Sequence, residues 1–83
     1  MNYLPIPAGA ITGHDWANRK CILVDAVTRR PVFEGEKRAG FRGEYTIMGA
    51  TPPHKASSTG RVLTEEGGEY FPSVANVAWE LVL

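Results

Sequence analysis

The side chains of this chain best equipped for chemistry lie close together. The stretch Gly49-Ala-Thr-Pro-Pro-His-Lys-Ala-Ser-Ser-Thr-Gly-Arg61 places His54, Lys55, Ser57, Ser58, Thr59 and Arg61 in one polar loop. An ammonium, a guanidinium, an imidazole, hydroxyls and the backbone amides near Gly60 are the groups that hold a phosphate or a carboxylate through charge-assisted hydrogen bonds. A connection this long is more often functional than the short hairpins beside it. The same composition also describes a plain surface loop whose Ser and Thr satisfy neighbouring backbone donors.

Other chemistries fit the sequence less well. A Walker-type phosphate loop needs a second Gly followed by Lys and a hydroxyl residue, whereas Gly49 is followed at that spacing by His54-Lys55-Ala56. His54 could serve Ser57 or Ser58 as a base, with His14 or Asp25 as orienter, but there is no nucleophile elbow and no Ser-x-x-Lys to enforce it. His14 and Cys21 stand seven apart, and neither CxxC nor HExxH occurs, so no metal is expected. Glu65, Glu66 and Glu69 flank a Gly-Gly turn and read as solvated charges, not a glycosidase pair. The expectation is a protein that is not an enzyme and carries no cofactor.

Two kinds of macromolecular partner can be drawn from the residues. For nucleic acid, Arg29, Arg30, Lys37, Arg38, Arg42, Lys55 and Arg61 would meet phosphates while Phe33, Phe41 or Tyr45 stack on bases. The segment Arg38-Ala-Gly-Phe41-Arg42 suits that role, yet Glu34, Glu36 and Glu44 are interleaved and oppose a phosphate track. For a protein partner, Trp16, Phe33, Phe41, Tyr70 and Phe71 cannot all fit inside so small a core, and those left outside form adhesive anchors. An unpaired edge strand at either terminus would also allow pairing with a second copy.

The elements that must position these residues are mostly strands. Nine Gly and six Pro punctuate the 83 residues and leave no room for long helices. Strand patterns occur over 20–28, 43–50, 60–65 and 74–83, where Ala75, Val77, Trp79 and Leu81 alternate with Asn76, Ala78 and Glu80. Short strands at 31–34 and 69–71 complete a meander, with turns at Gly35 and Gly40, at 51–59 and at Glu66-Gly67-Gly68. A bend is expected at Phe71-Pro72-Ser73. The stretch 11–19 invites one helical turn, capped by Thr12 or Asp15 and anchored by Trp16. The expectation is therefore an all-β or mainly β fold, a small SH3-like barrel or a strongly bent antiparallel sheet of five to six short strands with at most one helical turn. It forms one domain, 1–83, with an extended arm over 1–19 ahead of a β core over 20–83.

Composition sets broader bounds. Hydrophobic residues at 43% and charged residues at 22% are ordinary for a folded domain. Cys21, the single cysteine, lies in the apolar run Cys21-Ile-Leu-Val24 and reads as a buried, reduced thiol, which fits a cytoplasm. No run approaches the length of a membrane span and the N-terminal residues lack the pattern of a signal peptide, so a soluble, cytoplasmic protein without a membrane partner is expected. Net charge is zero, but all nine Lys and Arg fall within 19–61 against only Asp25, Glu34, Glu36 and Glu44, while 62–83 holds four Glu and no base. The two segments either form separate faces or pair across strands.

The stretches Gly43-Glu-Tyr-Thr-Ile, Pro52-Pro-His-Lys55, Ser57-Ser-Thr-Gly-Arg-Val62 and Glu69-Tyr-Phe-Pro-Ser-Val74 resemble small β-rich proteins found in bacteriophage and prophage genomes, over about residues 41–79. The resemblance implies a phage origin, a compact β fold and a bacterial host cytoplasm. Small phage proteins commonly bind and block a host protein, such as a component of a defence system or a polymerase. The expected function is thus an accessory protein that binds a host macromolecule, a host protein before nucleic acid or a small anionic ligand. His54, Lys55, Ser57, Ser58, Thr59 and Arg61, with Arg42 and Phe41, are the expected contact residues.

Overall fold

The computed structural model describes residues 3–82. Among them the chain forms β1 (Thr12–His14), β2 (Lys20–Asp25), β3 (Glu36–Gly40), β4 (Gly43–Thr51), β5 (Arg61–Thr64), β6 (Glu69–Tyr70), a 3-10 turn at Pro72–Ala75 and β7 (Val77–Leu81). The strands make two antiparallel sheets, ordered β1-β2-β7 and β3-β4-β5-β6. The fold is mainly β, as the sequence predicts, but the ladders form two open sheets and not one closed barrel.

The continuous apolar run in β2 is explained by burial on both faces, where alternation gives way to unbroken hydrophobicity. Leu23 points into a core shared by both sheets, with Val77 of β7, Tyr45 and Ile47 of β4, Val62 of β5, and Ile11, Val32 and Ala75. Ile22 and Val24 point the other way and are covered by Tyr3, Ile6, Ala10 and Val82. Tyr70 packs edge to face on Tyr45, with ring centroids 5.2 Å apart, and closes one side of the shared core. Cys21 is buried at the start of β2, its thiol donating to Arg19 O at 3.3 Å.

Polar contacts fasten one sheet to the other. Asp25, at the end of β2, accepts from the Val27 and Thr28 amides at 2.8 Å each and pairs with the Arg38 guanidinium of β3, which also meets Glu36 at 2.9 Å. Asn76, in the left-handed region at φ 57°, donates from its side chain to Ala39 O at 2.8 Å, while its own carbonyl accepts from Ala26 N at 2.9 Å. The basic and acidic segments pair at two further points, Arg29 with Glu80 at 2.6 Å and Arg61 with Glu69 at 3.9 Å.

Several expectations are corrected. The strand count is seven among the described residues, above the expected five to six. The stretch 11–19 is not helical: Thr12–His14 is a strand, and Asp15 caps a tight turn by accepting from the Ala17 and Arg19 amides at 2.9 and 3.0 Å. The same side-chain geometry that caps a helix also closes an Asx turn. Residues 31–34 make only isolated bridges, Val24 with Pro31 and Ala10 with Phe33. The expected loop between Gly35 and Gly40 is instead β3, a charged strand recruited by its register with β4. The C-terminal strand begins at Val77, because Pro72 nucleates the 3-10 turn ahead of it; the expected last residue, Leu83, lies outside the described residues, as do the first two of the expected arm.

Candidate binding site

The connection between β4 and β5, residues 52–60, is pinned at both ends. Pro52 packs on Gly13 of β1 so closely that a Cβ there would lie 2.5 Å from the proline ring, and Pro53 O accepts from Trp16 N at 3.1 Å. At the other end Gly60 adopts φ +84°, and a Cβ would lie 2.5 Å from Thr51 O and 2.7 Å from the Trp79 indole. Only glycine satisfies both demands. The two prolines and Gly60 thus tie the loop of one sheet to β1 and β7 of the other, and the middle of the loop is presented outward.

His54, Lys55, Ser57, Ser58, Thr59 and Arg61 line one open cavity of about 570 Å³, together with Phe71. A short turn orders the segment: Ser58 N donates to Lys55 O at 3.0 Å, and Ser58 Oγ accepts from Gly60 N at 3.1 Å. Ser58 is therefore satisfied locally, whereas the hydroxyls of Ser57 and Thr59 have no protein partner among the described residues. Arg61 lies over the Phe71 ring at 4.2 Å and donates to Gly60 O at 2.9 Å, which holds its planar fork in place. Glu69 offsets part of that charge, 3.9 Å away. Lys55 and His54 meet no carboxylate at ion-pair distance among the described residues. The arrangement gathers positive charge, free hydroxyls and an exposed aromatic ring around one open cavity.

The other two expected contact residues are elsewhere. Phe41 and Arg42 form the two-residue turn between β3 and β4, where Gly40 pairs with Gly43, and they do not line the cavity. Phe41 N donates to Val74 O at 2.9 Å, and the ring is 80% exposed with the Arg42 guanidinium 5.9 Å from its centre. They form a separate exposed tip.

Sequence reasoning placed Phe71 among the surface aromatics but missed its role as the platform under Arg61. It also missed a second cleft of about 420 Å³ that shares Ser58 and Thr59 with the first and is lined by Pro53, Pro72, Ser73, Ala78 and Trp79 among others. Ser58 and Thr59 form the rim between the two hollows.

No family model, curated protein or solved structure matches the chain. Among the described residues no helix is long and apolar enough to cross a membrane, and no three His, Cys, Asp or Glu side chains group as a metal site would require.

Proposed function

We propose that this chain is a non-enzymatic binding protein, an accessory factor that docks on a partner protein through the loop of residues 52–60 and Arg61. The observation that carries the reading is the gathering of His54, Lys55, Ser57, Ser58, Thr59 and Arg61 around one open cavity, with Arg61 stacked on Phe71. Arginine and aromatic side chains are enriched among the anchors of protein interfaces, and here Arg61 lies over the Phe71 ring. In this reading the two sheets work as an SH3-like scaffold does, with strands that hold and loops that bind. The resemblance of residues 41–79 to small phage and prophage proteins supports a host protein as the partner class, including components of defence systems or polymerases. It also supports a bacterial cytoplasm as the place of action.

The test is affinity capture from bacterial lysate with wild type and with a Lys55→Glu, Arg61→Glu double variant. The expected result is a specific protein recovered by wild type and lost, by about tenfold or more, on charge reversal. Equal recovery by both would remove the loop from the function. If nucleic acid were the partner instead, a reading the stacked Arg61 and Phe71 also accommodate, binding to oligonucleotides would fall steeply with added salt.

A further inference from the structure

The hydrogen-bond register of β7 leaves one edge of the first sheet open. Cys21 pairs with Leu81 and Asp25 with Val77, while Ala26 N donates to Asn76 O and Val82 N donates to Lys20 O, each at 2.9 Å. In an antiparallel ladder the bonded pairs recur at every second residue. Positions 76, 78, 80 and 82 therefore direct their backbone groups toward β2, and Val77, Trp79 and Leu81 turn theirs away from it. Among the described residues nothing on the far side bonds to these three. Val77 is 2% exposed, whereas Trp79 and Leu81 are each partly exposed, so the accessible stretch runs from Trp79 to Leu81.

The other edges carry protection of the kind that keeps sheets from pairing with strangers. β1 is three residues long and backed by Pro52 and Pro53, β3 carries Glu36, Lys37 and Arg38 in sequence, and β6 is two residues long. β7 is five residues with Glu80 as its single charge. The cleft of about 420 Å³ touches β7 from Val77 to Trp79 and is bounded by Pro72 near the 3-10 turn and by Pro53 and Thr59 of the loop.

Building on the reading of a protein partner, we infer that the partner is bound as an extended strand added to the free edge of β7, with an acidic side chain crossing the Ser58–Thr59 rim toward Lys55 and Arg61. Main-chain pairing supplies the docking, as it does where peptides extend a sheet, and the adjoining cations supply the charge complement. The occupant is thus an extended, acidic segment of another protein.

The experiment selects peptides from a randomised twelve-residue display library on the wild-type protein, then follows amide hydrogen exchange with the selected synthetic peptides. Supporting results are an acidic residue next to an alternating apolar run in the selected sequences, and slowing of the Trp79 and Leu81 amides by about tenfold or more. The amides of Ala78 and Glu80, already bonded to β2, should change little. Leu81→Pro removes an outward donor without breaking a ladder bond and should abolish binding; the exchange measurement stands even if that variant fails to fold. Peptides that bind and protect only residues 52–61 would overturn the strand while leaving the loop as the docking site. Protection of Trp79 and Leu81 that rises with protein concentration alone would make a second copy the occupant and overturn the inference. Failure to enrich any peptide would overturn it as well, and lysate capture that still depended on Lys55 and Arg61 would then preserve the partner reading.

Discussion

Glu66 shows how a single surface carboxylate can organise a strand. Its two oxygens accept from Thr46 N and Thr46 Oγ1, each at 2.8 Å, beside the Ile47–Thr64 pair with which the β4–β5 ladder ends. β5 ends at Thr64, and just beyond it Glu65 N donates to Thr46 O at 3.0 Å while the Glu66 carboxylate serves as acceptor for the Thr46 amide. Those hydrogen bonds, the one from the Thr46 amide first and the one from its hydroxyl second, hold the Glu66 carboxyl below the usual range. Asp25 is held well below its ordinary value by the Thr28 amide, then by Arg38 and the Val27 amide. Burial pushes Asp15 upward, but the amide and guanidinium of Arg19, the Ala17 amide and the nearby Arg19 charge outweigh it and leave the carboxyl low. All three groups are more acidic folded than unfolded, so their stabilisation is complete above the unfolded carboxylate range, about pH 4, and is lost as pH falls through the folded values. Melting temperature should accordingly be flat near neutrality and fall below about pH 4. Glu66→Gln should lower the melting temperature at pH 7 and make the acid fall shallower than in wild type. Parallel pH profiles for the two proteins would assign the acid sensitivity to the other carboxylates.

At the scale of elements, the loop depends on two close approaches more than on its own sequence. Gly60→Ala would place a methyl against Thr51 O and the Trp79 indole at φ +84°, and Gly13→Ala would press on the Pro52 ring. Each substitution should cost about 1–3 kcal/mol in denaturant unfolding, and exchange at residues 52–60 should speed up more than exchange in β2. These contacts join segments far apart in the chain, so they are invisible in the local pattern. The strands were legible where apolar density marks them, as at Cys21 to Val24 and along Val77 to Leu81. β3 was not, because Glu36-Lys-Arg-Ala-Gly40 has no apolar alternation and becomes a strand through pairing with β4 and through the ion pairs of Arg38. β1 was hidden by Asp15, whose capping geometry serves a turn as well as a helix. The six loop residues were legible as a cluster in sequence. The exclusion of Phe41 and Arg42 from their cavity, and the inclusion of Phe71, follow from how the hairpins are laid side by side, which residue types do not encode.

At the scale of the whole molecule, the two sheets are held by a shared apolar core and by the cluster of Asp25, Arg38, Glu36 and Asn76. The Arg38 side chain is 18% exposed, so its charge is only partly screened and its partners depend on it. Arg38→Ala should destabilise by about 1–3 kcal/mol, because it removes the guanidinium that the partly exposed Asp25 and Glu36 share. The Asp25→Asn, Arg38→Met double variant should lose less than the sum of the single losses, with a coupling of about 1 kcal/mol or more in a double-mutant cycle. Strict additivity would show that the Asp25–Arg38 pair contributes no coupling between the sheets, leaving the apolar core and the Asn76 hydrogen bond to Ala39 O to join them. The pairing of β2 with β7 bears on the order of assembly as well. Its register joins Cys21 to Leu81, so the closing loop contains the entire four-stranded sheet, whereas β3 to β6 are linked in sequence by short or moderate connections. Closure entropy rises with loop length, so the inserted sheet is the easier one to form and the outer sheet is the later to close. Until β7 pairs with it, the apolar stretch Cys21 to Val24 has an unpaired edge. An unpaired apolar edge is a template for other chains, so slowing the docking of β7 should raise aggregation during refolding, read by light scattering.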